Sequence, residues 1–408
     1  MVAMSRQVLR RALDDYPCSY LVHPDEPICS RACFKLALSC WKGSAKYFLL
    51  MYAAQYAIKY KTLTLEDVPS ILKSYCRSVL LGIWCPCAIT GTICLWKNVT
   101  GRFDKEVVCY VAGLVGGCGV YLDNAKRRPI VSYTISALAM EALIRRLYGK
   151  INRPFKTETI TFMIMNGILM YKMRTTELAS FSRDIWFFRP PKIRRSNKID
   201  LNADDRIGGT LNKACPHSGS CRNDIIKGVS KYILGTTIFT ATRILILNPK
   251  LRRNPIKFLK TLFEWDNMRL TTFFGWYVGA YKMLSCFLCR IGERDRPEYA
   301  IAAGFIAGLS YGVNRNITVL GSLILYVARI YGREVQEKYQ LPRIHFMELS
   351  MIISFAVLIN SRVLDHKNCP RGFEFMLKTV TQDRFTALFD QIIRILEEEK
   401  RSEQINAT

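Results

Sequence analysis

Val111-Ala112-Gly113-Leu114-Val115-Gly116-Gly117 and Ala302-Ala303-Gly304-Phe305-Ile306-Ala307-Gly308 read as two versions of one segment, 191 residues apart. Each sets a Gly-x3-Gly pair in an uncharged stretch. Four residues is just over one helical turn, so both glycines of a pair share a face. With no side chains there, a second helix can come close. The surroundings are as apolar as the segment itself. Val107–Leu122 and Ile317–Ala328 carry no charge, whereas an amphipathic helix in water places one on its outer face every turn or so. The spacing predicts membrane helices meeting at glycine crossings.

Working outward, two more matches keep the same order. Lys42-Gly43-Ser44-Ala45-Lys46-Tyr47-Phe48-Leu49 pairs with Lys227-Gly228-Val229-Ser230-Lys231-Tyr232-Ile233-Leu234 at an offset of 185. Leu147-Tyr148-Gly149-Lys150 pairs with Ile330-Tyr331-Gly332-Arg333 at an offset of 183. A duplication follows, with five apolar helices per half: near 43–60, 71–95, 106–122, 129–148 and 157–173, then 228–247, 270–290, 298–314, 317–333 and 344–362. The expected fold is all-α, a polytopic membrane bundle of about ten helices in two pseudo-symmetric halves. The divisions are an arm with a Cys-rich segment (1–41), a first repeat (42–173), a basic linker with a Cys/His segment (174–226), a second repeat (227–362) and a tail (363–408). Five crossings per half would invert the second repeat, a transporter-like arrangement. In the tail, Phe385, Leu388, Phe389, Ile392, Ile393 and Leu396 form one stripe of an amphipathic helix over Phe385–Glu399.

Composition fits this reading. The 408 residues include 59 Lys+Arg against 33 Asp+Glu, a net charge of +26, yet half are hydrophobic and the mean hydropathy is +0.07. That balance excludes a disordered chain. Apolar blocks separated by basic loops suit anionic lipid better than nucleic acid, for which there are no interleaved aromatics and no motif. The acid-free Met1–Leu13, with Arg6, Arg10 and Arg11, suits either a mitochondrial targeting segment or a solvated arm. No cleavable secretory signal is visible. The fifteen cysteines lie largely inside apolar blocks, among them Cys85, Cys87, Cys94, Cys286 and Cys289, where a thiol serves as a small hydrophobe.

Few residues could carry chemistry. Glu141 and Lys282 sit inside apolar helices, with Arg77 and Glu348 nearer helix ends. A charge at membrane depth costs at least ~2.5–3.5 kcal/mol on insertion scales and needs a partner or a wet cavity. Arg145, one turn beyond Glu141, is a candidate partner. His23, Cys29 and Cys33 precede the first repeat, and Cys215, His217 and Cys221 precede the second. These are metal-ligand types at non-standard zinc spacings, three per group, and a cysteine-rich surface loop is the alternative. Asn98-Val99-Thr100 and Asn316-Ile317-Thr318 match glycosylation sequons. There is no phosphate loop, dinucleotide fingerprint or HExxH, so neither an enzyme nor a cofactor is expected.

Tyr281-Lys282-Met283-Leu284-Ser285-Cys286-Phe287-Leu288 followed by Ile301–Ser310, with His23-Pro24, Cys29 and the Cys215–Cys221 segment, resembles the transmembrane protein 135 family. The likeness spans most of 20–380 and is strongest over 270–335. It implies a non-enzymatic multi-pass protein of mitochondrial and peroxisomal membranes, tied to mitochondrial fission, peroxisome organisation and lipid metabolism. Lipid bilayer and fission-machinery proteins are the implied partners. The family defines no catalytic residues, so none are carried over. A solute or lipid transporter is the alternative.

Overall fold

The computed structural model describes residues 17–58, 65–103, 105–125, 127–148, 154–175, 186–191, 215, 217, 220–247, 254–340 and 346–406. The arm Met1–Leu13 and most of the expected linker lie outside the described residues. Those described form fourteen α-helices and no strand. In chain order they are α1 (Cys18–Val22), α2 (Cys29–Ile58), α3 (Val68–Thr100), α4 (Lys105–Gly117), α5 (Arg128–Tyr148), α6 (Pro154–Thr175) and α7 (Cys221–Leu247). There follow α8 (Pro255–Leu262), α9 (Trp265–Ile291), α10 (Tyr299–Ala307), α11 (Ile317–Lys338), α12 (Phe346–Leu364), α13 (Arg371–Thr381) and α14 (Arg384–Asn406).

Local chemistry sets several ends. Pro at the first turn of α3 costs no hydrogen bond, and Gly101 closes that helix at φ +68°, donating its N–H to the Lys97 carbonyl. Asn316 caps α11 by accepting from the Thr318 N–H, so the second sequon marks a helix start. The glycine helices α4 and α10 tighten at their ends into 3-10 turns, Cys118–Leu122 and Gly308–Gly312.

The chain divides into two compact units that do not follow the expected repeat boundaries. One comprises Met1–Leu147 with Leu341–Thr408, the other Tyr148–Gln340. The stretches 42–173 and 227–362 are therefore not each one compact unit, because their fifth helices are exchanged. α12, from the second half of the sequence, packs on α4 of the first, and α6 packs on α10 of the second. The glycines show how. A Cβ on Gly117 would lie 2.7 Å from the Ile352 Cα, and one on Gly113 would collide with the Ala356 backbone. In the other unit the Gly308 Cβ would lie 2.7 Å from the Met163 Cα, and the Gly304 Cβ 2.9 Å from the Asn166 carbonyl oxygen.

In the first unit, α2 lies on α3, and α13 on α2, where Gly43 admits the carbonyls of Thr379 and Val380. Ile89, Ile93, Leu358, Ile359, Phe373, Phe385 and Phe389 fill its core. Phe385, Leu388, Phe389 and Ile392 of the α14 stripe are thus packed on the body. In the second unit α7 lies on α9, α9 on α10, and α11 on α6. Its centre is aromatic. Phe162 stacks on Tyr311 at 4.7 Å, and Phe187 and Phe188 meet the Tyr277 ring edge-on at 4.9 and 5.6 Å.

Two helices, α3 and α12, are long and apolar enough to cross a membrane. The apolar stretches Cys109–Leu122 and Tyr299–Gly312 rise only about 21 Å at ~1.5 Å per residue, short of the ~30 Å hydrocarbon layer. The described residues thus form an all-α bundle, two of whose helices meet the length and apolarity of a membrane span.

Candidate metal centres

Each unit holds one cluster of three thiols and an imidazole whose ligand atoms all lie within 4.8 Å of one another. In the first unit these are Cys18, His23, Cys29 and Cys94. Cys18 opens the short α1, His23 follows its end, Cys29 is the first residue of α2, and Cys94 projects from α3. The second cluster repeats this plan with Cys215, His217, Cys221 at the start of α7, and Cys286 on α9.

The distances are those of a tetrahedron without its centre. Cys18 Sγ lies 3.2 Å from Cys94 Sγ and 4.0 Å from Cys29 Sγ. His23 Nε2 lies 3.2 Å from Cys29 Sγ and 3.6 Å from Cys18 Sγ. In the second cluster Cys215 and Cys221 sulfurs are 3.7 Å apart, and His217 Nε2 is 3.3 Å from Cys286 Sγ. Metal–sulfur bonds of ~2.3 Å and metal–nitrogen bonds of ~2.05 Å at tetrahedral angles give edges of about 3.8 and 3.6 Å.

His23 is oriented for such a role. Its Nδ1–H donates to the Glu26 carbonyl at 2.6 Å, leaving Nε2 with its lone pair facing the sulfurs. The hydrogen bond between Cys18 and Cys94, helped by His23 and Cys29, lowers the Cys18 thiol to about 6 against the effect of burial. Cys29 and Cys221 each open a helix. Against burial, Cys215 and the nearby Arg290 guanidinium hold the Cys221 thiol below its ordinary value.

Five of the six expected ligands are thereby brought together. Cys33 is the exception: it lies one turn past Cys29 on α2, outside the cluster. The missing ligands are Cys18, Cys94 and Cys286. Cys286, expected as buried packing, is a member of the second cluster, whereas its neighbour Cys289 instead donates to Asp295 at 3.5 Å. Cys94 and Cys286 were hidden among apolar thiols, but both lie three-dimensionally under the Cys/His segment of their own unit. Their equivalence also fixes the repeat register. Cys29 and Cys221, and Cys94 and Cys286, are each separated by 192 residues. The Lys42 and Leu147 matches, at 185 and 183, are therefore displaced by seven and nine residues, about two to two and a half turns.

The charges expected at membrane depth have partners close by. Glu141 is buried, and Arg145 reaches its Oε1 at 2.7 Å. Lys282 donates to Asp224 Oδ2 at 2.8 Å and to the Asp224 carbonyl at 3.1 Å. Glu348 lies 3.8 Å from the Arg128 guanidinium, and Arg77 is exposed. Two buried polar groups had no sequence signal. Arg174 meets Asp295 at 2.5 Å with both side chains shielded. Asn166, at the Gly304 crossing, donates to the Gly304 carbonyl and accepts from the Tyr277 hydroxyl, both at 2.6 Å.

No protein-family model matches the chain, and no solved structure matches it.

Proposed function

We propose that the protein is a non-enzymatic, multi-pass membrane protein of mitochondria and peroxisomes that acts on mitochondrial fission, peroxisome organisation and lipid metabolism. One observation carries the membrane part: long apolar stripes face outward on helices whose other faces are packed. On α9, Trp276, Met283, Phe287 and Ile291 form one exposed stripe. Leu80, Trp84, Leu95 and Val99 do the same on α3, and Phe34, Leu38, Trp41 and Leu49 on α2. Water-soluble monomers rarely leave apolar patches of more than a few hundred Å², whereas a bilayer covers such faces without cost. The organelle and process rest on the resemblance of 270–335 to the transmembrane protein 135 family.

The charges that would favour a transport path are neutralised locally, Glu141 by Arg145 and Lys282 by Asp224, so the non-transporting reading is preferred. Imaging a tagged chain against mitochondrial and peroxisomal markers tests the location. Cells lacking the protein should show altered mitochondrial length, restored by the wild-type chain. A location in neither organelle, or unchanged mitochondria, contradicts the proposal. Solute flux in proteoliposomes would favour the transporter.

A further inference from the structure

The membrane reading makes no use of the two Cys/His clusters. We infer that each is a structural zinc centre: Cys18, His23, Cys29 and Cys94 hold one Zn²⁺, and Cys215, His217, Cys221 and Cys286 hold a second.

Four observations converge. Three thiolates and one imidazole are a donor set that zinc takes in closed tetrahedral sites. The six separations given above run from 3.2 to 4.0 Å and bracket the expected edges, and all ligand atoms of a cluster lie within 4.8 Å of one another. The His23 tautomer is fixed by the Glu26 carbonyl, so the nitrogen aimed at the sulfurs is the one able to coordinate. Finally, the constellation occurs twice, each time joining a pre-helical segment and a helix's first residue to the following long helix. Apolar thiol packing explains none of this, because it has no use for a histidine. All fifteen cysteines are free thiols, so the clusters are not disulfide pairs.

Burial gives the role. Three ligands of each cluster are buried and the fourth is half-buried, so the fourth coordination position is filled by protein and none is left for water or substrate. That is the closed form of a structural site. On binding, the three thiols of a cluster release their protons to solvent, and no electron is transferred. Each centre then carries one net negative charge, which Arg290 partly offsets in the second unit. The metal ties Cys18 to Cys94, 76 residues away, and holds His217 to Cys286, 69 residues away. It thereby clamps the first helix of each repeat to the second.

The test is metal analysis of the full chain purified in detergent from zinc-replete cells. Two zinc ions per chain are expected. Exchange for Co²⁺ should give the intense visible bands of tetrahedral thiolate coordination. Cys94→Ser and Cys286→Ser should each remove one ion and leave the other, while Cys87→Ser and Cys289→Ser keep both. If the ligand variants do not fold, the wild-type protein still decides. Release of two zinc ions as a mercurial titrates its thiols supports the sites. A folded wild-type chain without zinc, one holding a different metal, or zinc retained in full by both ligand variants overturns them.

Discussion

At the residue scale, the glycine pairs set how closely helices approach. A Leu at Gly113 or Gly304 would drive a side chain into the backbone of Ala356 or Asn166. Overpacking of this kind costs ~1–3 kcal/mol, and more where backbone blocks relief. Gly113→Leu and Gly304→Leu should each lower the melting temperature in detergent by several degrees and reduce folded yield. Gly91→Ala and Gly235→Ala, where nothing lies within 4 Å, should leave melting unchanged or raise it slightly, since Ala favours helix over Gly. The Arg174–Asp295 pair is tested differently. Arg174→Met leaves the Asp295 carboxylate buried without its cation, a loss of roughly 3–5 kcal/mol, whereas Arg174→Met with Asp295→Leu should regain most of it. Thermal melts of the single and double variants decide, and equal melting of the two would show the pair to be inert. The glycines were legible because a missing side chain leaves a mark at a fixed spacing. Cys94 and Cys286 were not, because a thiol in an apolar run looks the same whether it packs or ligates. Only the fold brings them under the histidines.

At the element scale, hydropathy located the ten principal helices but not the exchange of α6 and α12. An apolar face states that a helix must be covered; it does not name the cover. The short α1, α8 and α13 also passed unnoticed, since helices of this length leave little periodic pattern; α8 is held by its Asn254 cap and α13 by packing on α2. The exchange yields a direct prediction. Ser136 on α5 and Ser350 on α12 have hydroxyl oxygens 2.7 Å apart, although 214 residues separate them. Ser136→Cys with Ser350→Cys should oxidise to a disulfide. With a protease site inserted after residue 200, the two fragments should stay joined until reduced. If each repeat instead closed on its own fifth helix, these cysteines would not couple, and one placed at Met163 would couple to the first half.

At the scale of the molecule, two exchanged repeats present apolar stripes outward while many of the charges are paired. Ion pairs such as Lys172 with Glu334 at 2.6 Å and Arg362 with Asp390 at 2.5 Å use up acids that are few, so the unbalanced +26 is available to anionic headgroups. The sequence pattern offered ten crossings only as a condition, since helices short for a ~30 Å bilayer leave partial crossing open. The glycine helices are too short for a full span, and their apolarity serves the crossings. The central claim is that the outward stripes lie in lipid. Extraction of native membranes with alkaline carbonate, followed by partition of the tagged chain between pellet and supernatant, tests it most directly. The chain should remain with the membrane pellet and enter solution only with detergent. A chain released into the carbonate supernatant, and monodisperse there without detergent, would contradict membrane insertion.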